Sequence, residues 1–159
     1  VGKESEPRSF RVIIDTKEKY PWALTSSYIL GTEFRHLDTG DYTVEGFEDK
    51  LCIERKRTVN EIAQNLHEKR FGAQLERMAE FPHKYILIES SIQKVIEYPF
   101  LEDLPPKILK KIRVRGRYIL KCLNRIQVKY NIHIVYCGNT DNAIWVATNI
   151  MREVVDLYG

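Results

Sequence analysis

Four short runs of apolar, largely β-branched residues, set apart by stretches of helical periodicity, constrain the fold of this 159-residue chain most. Phe10-Arg11-Val12-Ile13-Ile14 reads as a buried strand that ends on an acid, Asp15. Leu51-Cys52-Ile53, Tyr85-Ile86-Leu87-Ile88-Glu89 and Ile132-His133-Ile134-Val135-Tyr136 are its counterparts along the chain. Between them, Thr58-Val59-Asn60-Glu61 is a capping-box pattern, followed by Ile62, Ala63 and Leu66 at helical spacing. A second helix is predicted over 70–81, with Phe71, Leu75, Met78 and Ala79 on one side. Pro105-Pro106 precedes a long predicted helix to about Tyr130, striped by Ile108, Ile112, Ile119, Leu123 and Ile126. A final amphipathic helix is predicted from Asp141 to Leu157. Strands alternating with helices predict an α/β fold, a central mixed β-sheet flanked by α-helices.

Smaller elements fill the gaps. Pro21-Trp22-Ala23-Leu24 predicts a short helix with Pro in its first turn, and Thr32-Glu33-Phe34-Arg35-His36-Leu37 a half-buried strand. The stretches 42–47 and 50–55, joined by a short polar turn, predict a β-hairpin. Residues 1–9 form a flexible polar leader, and 10–159 a single domain without internal repeat or linker.

Composition narrows the class. Hydrophobic content of 43% and charged content of 30% exclude a disordered chain. No apolar run approaches the roughly 18 residues of a membrane span, so no membrane partner is expected. Cys52, Cys122 and Cys137 lack paired-ligand spacing, which argues against a zinc site and for reduced thiols. That places the chain inside a cell: the nucleus of a eukaryote, or the cytoplasm for a prokaryotic or phage protein. The net charge of +3 decides nothing, but from Lys107 to Lys129 there are nine Lys or Arg and no acid. Arg113, Arg117, Lys121 and Arg125 recur every four residues there, predicting a basic helical stripe for a phosphate backbone. Trp22 and Trp145, and His36, His67, His83 and His133, carry no ligand spacing and are expected to be structural. Ile144, Ala147, Ile150, Met151, Val154 and Val155 make the last helix apolar enough for a subunit interface as well as a core.

The chemistry lies on the hairpin. Glu54 and Lys56, two apart on one strand, leave the same face, and Asp41 of Gly40-Asp41-Tyr42 opens the preceding strand. Asp15 ends the first strand, with Glu18 just beyond. Such an oxygen-rich set suits a hard divalent cation, Mg²⁺ or Mn²⁺, and a nearby lysine suits phosphodiester hydrolysis.

Asp15-Thr16-Lys17-Glu18, Gly40-Asp41-Tyr42 and Glu54-Arg55-Lys56, with Arg70, Phe71 and Gln74 following, resemble the signature blocks of the XPF-type structure-specific endonucleases. That family is a branch of the restriction-endonuclease-like superfamily, and the resemblance runs from about Arg11 to Glu153. It implies a restriction-endonuclease-like core and metal-dependent cleavage of branched DNA (flaps, forks, splayed arms) in repair or recombination. Asp15, Asp41 and Glu54 become ligands of Mg²⁺ or Mn²⁺, with the Arg55 backbone carbonyl beside them. Lys56 becomes the catalytic lysine and Glu18 a further catalytic group, while Arg55, Arg70 and Gln74 touch DNA. A homodimer or heterodimer through the nuclease domain is implied, and no helix-hairpin-helix domain is expected in this chain. Two positions depart from the family: Lys17 stands where Arg is usual, and Asn60 where Asp is usual. The alternatives are a catalytically inactive DNA-binding or dimerisation subunit and a four-way-junction resolvase.

Overall fold

The structure, a computed structural model, describes residues 8–100 and 104–159, so most of the leader, residues 1–7, lies outside it. Arg8, at the leader's end, donates from Nη2 to the Gly159 carbonyl at 2.6 Å. Six strands form one sheet: β1 (Phe10–Ile14), β2 (Ile29–Phe34), β3 (Tyr42–Val44), β4 (Leu51–Lys56), β5 (His83–Ile88) and β6 (His133–Tyr136). Their order is β2-β1-β3-β4-β5-β6. β1 is parallel to β2, β4 to β5 and β5 to β6, while β3 is antiparallel to both β1 and β4. Five strands therefore run one way. The ends of β1, β4 and β5 and the start of β3 share one edge of the sheet.

Helices cover both faces. The side chains of Cys52, Ile86 and Ile88 pack under α1 (Val59–Asn65), α2 (Lys69–Ala79), α3 (Ile92–Glu97) and α5 (Gly116–Tyr130). Leu51, Ile53 and Leu87, on the alternate face, pack under Trp22 and α6 (Thr140–Tyr158). The period-two alternation of β4 thus buries all six of its residues, Glu54, Arg55 and Lys56 included. The mixed α/β sandwich and the β3–β4 hairpin match the sequence expectation.

Three expectations are corrected and one element is added. Pro21–Leu24 is not helical: the Trp22 N–H donates to the Tyr42 hydroxyl at 2.9 Å and the two rings stack at 4.2 Å. Those tertiary contacts outweigh a weak four-residue helix signal. β2 starts earlier than 32–37 and stops at Phe34, because the Leu37 N–H turns to the Asp15 carboxylate at 2.9 Å. The long helix ending at Tyr130 is two helices, α4 (Pro106–Leu109) and α5, so Ile108 lies exposed outside the core stripe and Arg113 lies off the helix. Gly116 fixes where α5 starts: its N–H donates to the Tyr98 carbonyl, and a Cβ there would come within 2.1 Å of the Val95 carbonyl. α3 was not anticipated; Ser91 caps it by accepting from the Lys94 N–H at 3.1 Å.

Candidate active site

The sequence motifs converge on the shared sheet edge. The Asp41 N–H donates to the Ile53 carbonyl and the Asp15 N–H to the Asp41 carbonyl, both at 2.8 Å, which fastens β1, β3 and β4 at one point. Gly40 is required there twice over: its φ is +86°, and a Cβ would meet the Cys52 Sγ at 2.6 Å. Tyr42 completes the block by holding Trp22, so the Gly-Asp-Tyr motif has a structural role at each end and an acid in the middle.

Asp41 Oδ2 accepts the Arg55 N–H at 2.8 Å, and the like charge of Glu54 lies close enough to raise its carboxyl. Glu54, 6% exposed, accepts from Gln74 Nε2 of α2 and lies 3.3 Å from Lys56 Nζ. Lys56 donates from Nζ to Asn65 Oδ1 of α1 at 2.7 Å and sits 5.2 Å above the Phe71 ring. Burial, then the charge of Glu54, pushes the Asp41 carboxyl up to about 9. Burial also raises Glu54, against the opposing pull of Lys56. Two carboxylates pressed together out of water share a proton unless a cation neutralises them. Strand alternation turns the Arg55 carbonyl toward the same edge as its N–H, beyond the point where β3 begins. Hard oxygen donors with unrelieved like charge fit a divalent ion.

Asp15 is placed differently from Asp41 and Glu54. Its Oδ1 accepts the Leu37 N–H and its Oδ2 the Lys17 N–H, the latter at 3.3 Å. It lines the same cavity of about 720 Å³ as Asp41, Glu54 and Lys56. Among the described residues, however, no three His, Cys, Asp or Glu side chains are gathered into one metal-binding group. The structure pairs two of the three expected ligands and turns the third to backbone amides.

Arg55 and Glu18 face another way. The Arg55 guanidinium, expected to touch DNA, is 4% exposed and bonds Glu89 at 2.6 Å and the Tyr20 carbonyl at 2.5 Å. Glu18 lies 3.5 Å from Arg55 Nη1 and lines a second cavity of about 310 Å³ that also opens on Asp41 and Glu54. Arg70 is exposed at the rim of the larger cavity, its Nε donating to Glu68, and Gln74 reaches Glu54 from the same helix. Arg117, Lys121 and Arg125 are exposed on α5, with Arg113 in the connection before it; none of the four lines either cavity.

Several site residues escaped the sequence reading. Thr58 caps α1, its Oγ1 accepting the Glu61 N–H, yet the Glu61 carboxylate also lies 3.8 Å from Lys56 Nζ, and Glu61 lines both cavities. Asn60 lies elsewhere: its Oδ1 accepts from the Tyr98 hydroxyl at 2.8 Å, away from the carboxylate pair. Arg77, donating to Thr39 at 2.9 Å, closes the larger cavity. Glu89 bonds Trp22, Arg55 and Thr140 together, and those bonds outweigh burial to hold its carboxyl below the usual range. Its signal was available, since Glu89 ends an apolar strand as Asp15 does.

The raised Asp41–Glu54 pair has a measurable consequence. A folded-state pKa above the unfolded value favours folding at low pH, and the benefit is lost as pH rises. In chelator the melting temperature is therefore expected to fall from about pH 4 toward the folded value near 9. Millimolar Mg²⁺ or Mn²⁺ is expected to reverse the loss at the alkaline end, as differential scanning fluorimetry would show. A melting temperature indifferent to both pH and ion would overturn this account.

A family model described as the ERCC4 domain matches residues 14–148. The fold is that of XPF from Aeropyrum pernix, with a TM-score of 0.68 at 21% identity over 91% of this chain and 65% of that one. The same protein in complex with DNA gives 0.67 at 22%, over 92% and 66%. The chain thus spans just under two thirds of the length of those XPF chains. Comparison with curated proteins returns no match. No helix among the described residues is long and apolar enough to cross a membrane. By the extent of the family match and the fold that carries it, the chain belongs to the ERCC4-domain family.

Proposed function

We propose that the chain is a Mg²⁺- or Mn²⁺-dependent endonuclease that cuts a phosphodiester bond in branched DNA. The observation that carries this reading is the buried Asp41–Glu54 pair beside Lys56 at one sheet edge, a costly arrangement for stability alone. Asp41, Glu54 and the Arg55 carbonyl would hold the ion, with Asp15 and Glu61 facing the same cavity. The ion, when bound, supplies charge stabilisation at the scissile phosphate. Lys56, steadied by Asn65 and Glu54, orients a water or neutralises developing charge through Nζ. Gln74 fixes the Glu54 rotamer, and Arg70 and Arg77 offer phosphate contacts at the rim. Arg117, Lys121 and Arg125 extend the basic surface along α5. The exposed Trp145 and Leu157 of α6 suit pairing with a second subunit, and three free buried cysteines suit a reducing, intracellular setting.

The test is a cleavage panel of single-stranded, duplex, fork, flap, splayed-arm and four-way-junction DNA with Mg²⁺, Mn²⁺ or chelator. Ion-dependent cuts at a fork or flap are expected. Binding without cleavage in either ion would assign the chain instead as a non-catalytic subunit, and preference for the four-way junction as a resolvase.

A further inference from the structure

A cavity of about 400 Å³ opens between α1 and α3, outside the two that expose the carboxylate pair. That volume is within the roughly 300–1,000 Å³ of small-ligand sites. Its wall combines two aromatic rings, Tyr98 and Phe100, with two cations, Arg57 and Lys94, and the Ser90 side chain. The rings meet edge to face, with centroids 6.3 Å apart. Among the described residues neither Arg57 nor Lys94 is ion-paired. The acid in the wall, Glu89, is already engaged by Arg55, Trp22 and Thr140. A mixed aromatic and cationic wall is the chemistry that holds an unstacked base with its phosphate.

Position strengthens the argument. Arg57 follows the Glu-Arg-Lys block directly and lines both this cavity and the smaller one that opens on Asp41 and Glu54. Its guanidinium lies over the Tyr20 ring at 4.6 Å, on the wall between the two. On the far side, the Gly116 N–H donates to the Tyr98 carbonyl, so the acid-free basic segment that runs through residues 107–117 reaches α5 beside this cavity. Arg57 thereby borders both the carboxylate pair's cavity and this one, and the basic segment enters α5 beside Tyr98.

We propose that this cavity is a subsite for one nucleotide of a single-stranded DNA branch, its base against Tyr98 and Phe100 and its phosphate on Arg57 and Lys94. The inference rests on the reading that the chain acts on branched DNA, and it adds how a branch is told from continuous duplex. A stacked duplex cannot present a base to a recessed aromatic wall, whereas an unpaired arm can.

The experiment uses forks carrying 5-iododeoxyuridine at successive positions of one arm, irradiated with the full chain in chelator. Crosslinking to the peptide holding Tyr98 and Phe100 is expected at one or two positions near the branch. Phe100→Leu keeps apolar volume but removes the ring, and is expected to lower that crosslink and fork affinity about tenfold, leaving duplex affinity unchanged. Lys94→Ala, at an exposed position that folding does not need, is expected to reduce the salt slope of arm binding by about 0.7. Crosslinks confined to other peptides, or both variants binding forks like the parent, would overturn the subsite. Cleavage of the same forks in Mn²⁺ is scored in parallel. Cleavage without this crosslink defeats the subsite alone; the crosslink without cleavage keeps the subsite and defeats the nuclease reading.

Discussion

Asp41→Asn is expected to lower cleavage of a fork or flap about 10³-fold while leaving the folded chain at least as stable in chelator. The loss is on the scale of removing one main source of transition-state charge stabilisation. Asn can still accept the Arg55 N–H that Asp41 Oδ2 receives at 2.8 Å, so the fastening of β3 to β4 survives. What disappears is the like charge against Glu54, the source of the raised Asp41 carboxyl second only to burial. Removing it relieves the metal-free protein, so the melting temperature in chelator at pH 8 is expected to rise and to become flatter with pH. Loss of activity together with gain of stability separates a functional acid from a structural one. Glu54→Gln is expected to behave in the same direction. Parental cleavage rates for both variants in Mg²⁺ and Mn²⁺ would remove the carboxylate pair from the mechanism.

The strands and the hairpin were legible because their signals are local. Period-two burial and the turn between β3 and β4 fix which residues share a face, and that alone placed Glu54, Lys56 and Asp41 together. The errors share one cause, contacts distant in sequence. Trp22 is held extended by Tyr42 and Glu89, partners 20 and 67 residues away. The helix expected to run unbroken from Pro106 was cut by crowding of Gly116 against Val95 and Ile96, which no periodicity reveals. Arg113 left the basic stripe with it. Asp15 ends its strand as read, but the Leu37 N–H, brought back by the chain after β2, takes its Oδ1, while the neighbouring Lys17 N–H takes Oδ2. Arg55 was expected to touch DNA because the family resemblance implies it. Its partner Glu89 comes 34 residues later and takes the guanidinium inside.

That Arg55–Glu89 pair carries the second large effect. Glu89→Ala is expected to destabilise the chain by about 3–5 kcal/mol, the range for stranding one charge of a buried pair. At this size, each kcal/mol moves the midpoint by roughly 2–4 °C, so a fall on the order of 10 °C is expected by calorimetry. The direction follows from the bonds lost. Arg55 keeps Glu18 at 3.5 Å, the Tyr20 carbonyl and the Trp22 ring, and the Trp22 indole and Thr140 hydroxyl lose their acceptor. Because hydrogen bonds hold Glu89 below the usual carboxylate range, its contribution is present at neutral pH and lost only as acid protonates it. Glu89→Gln keeps the shape and one acceptor, so a smaller loss is expected. Arg55 stands between Glu54 and Lys56 on one strand, so releasing its side chain loosens both neighbours at the sheet edge. Cleavage by Glu89→Gln well below its midpoint is therefore expected to drop through kcat, although Glu89 does not itself line the cavity of the carboxylate pair. Unchanged melting in both variants would show that the pair is screened by water and that Arg55 is free to leave it for DNA.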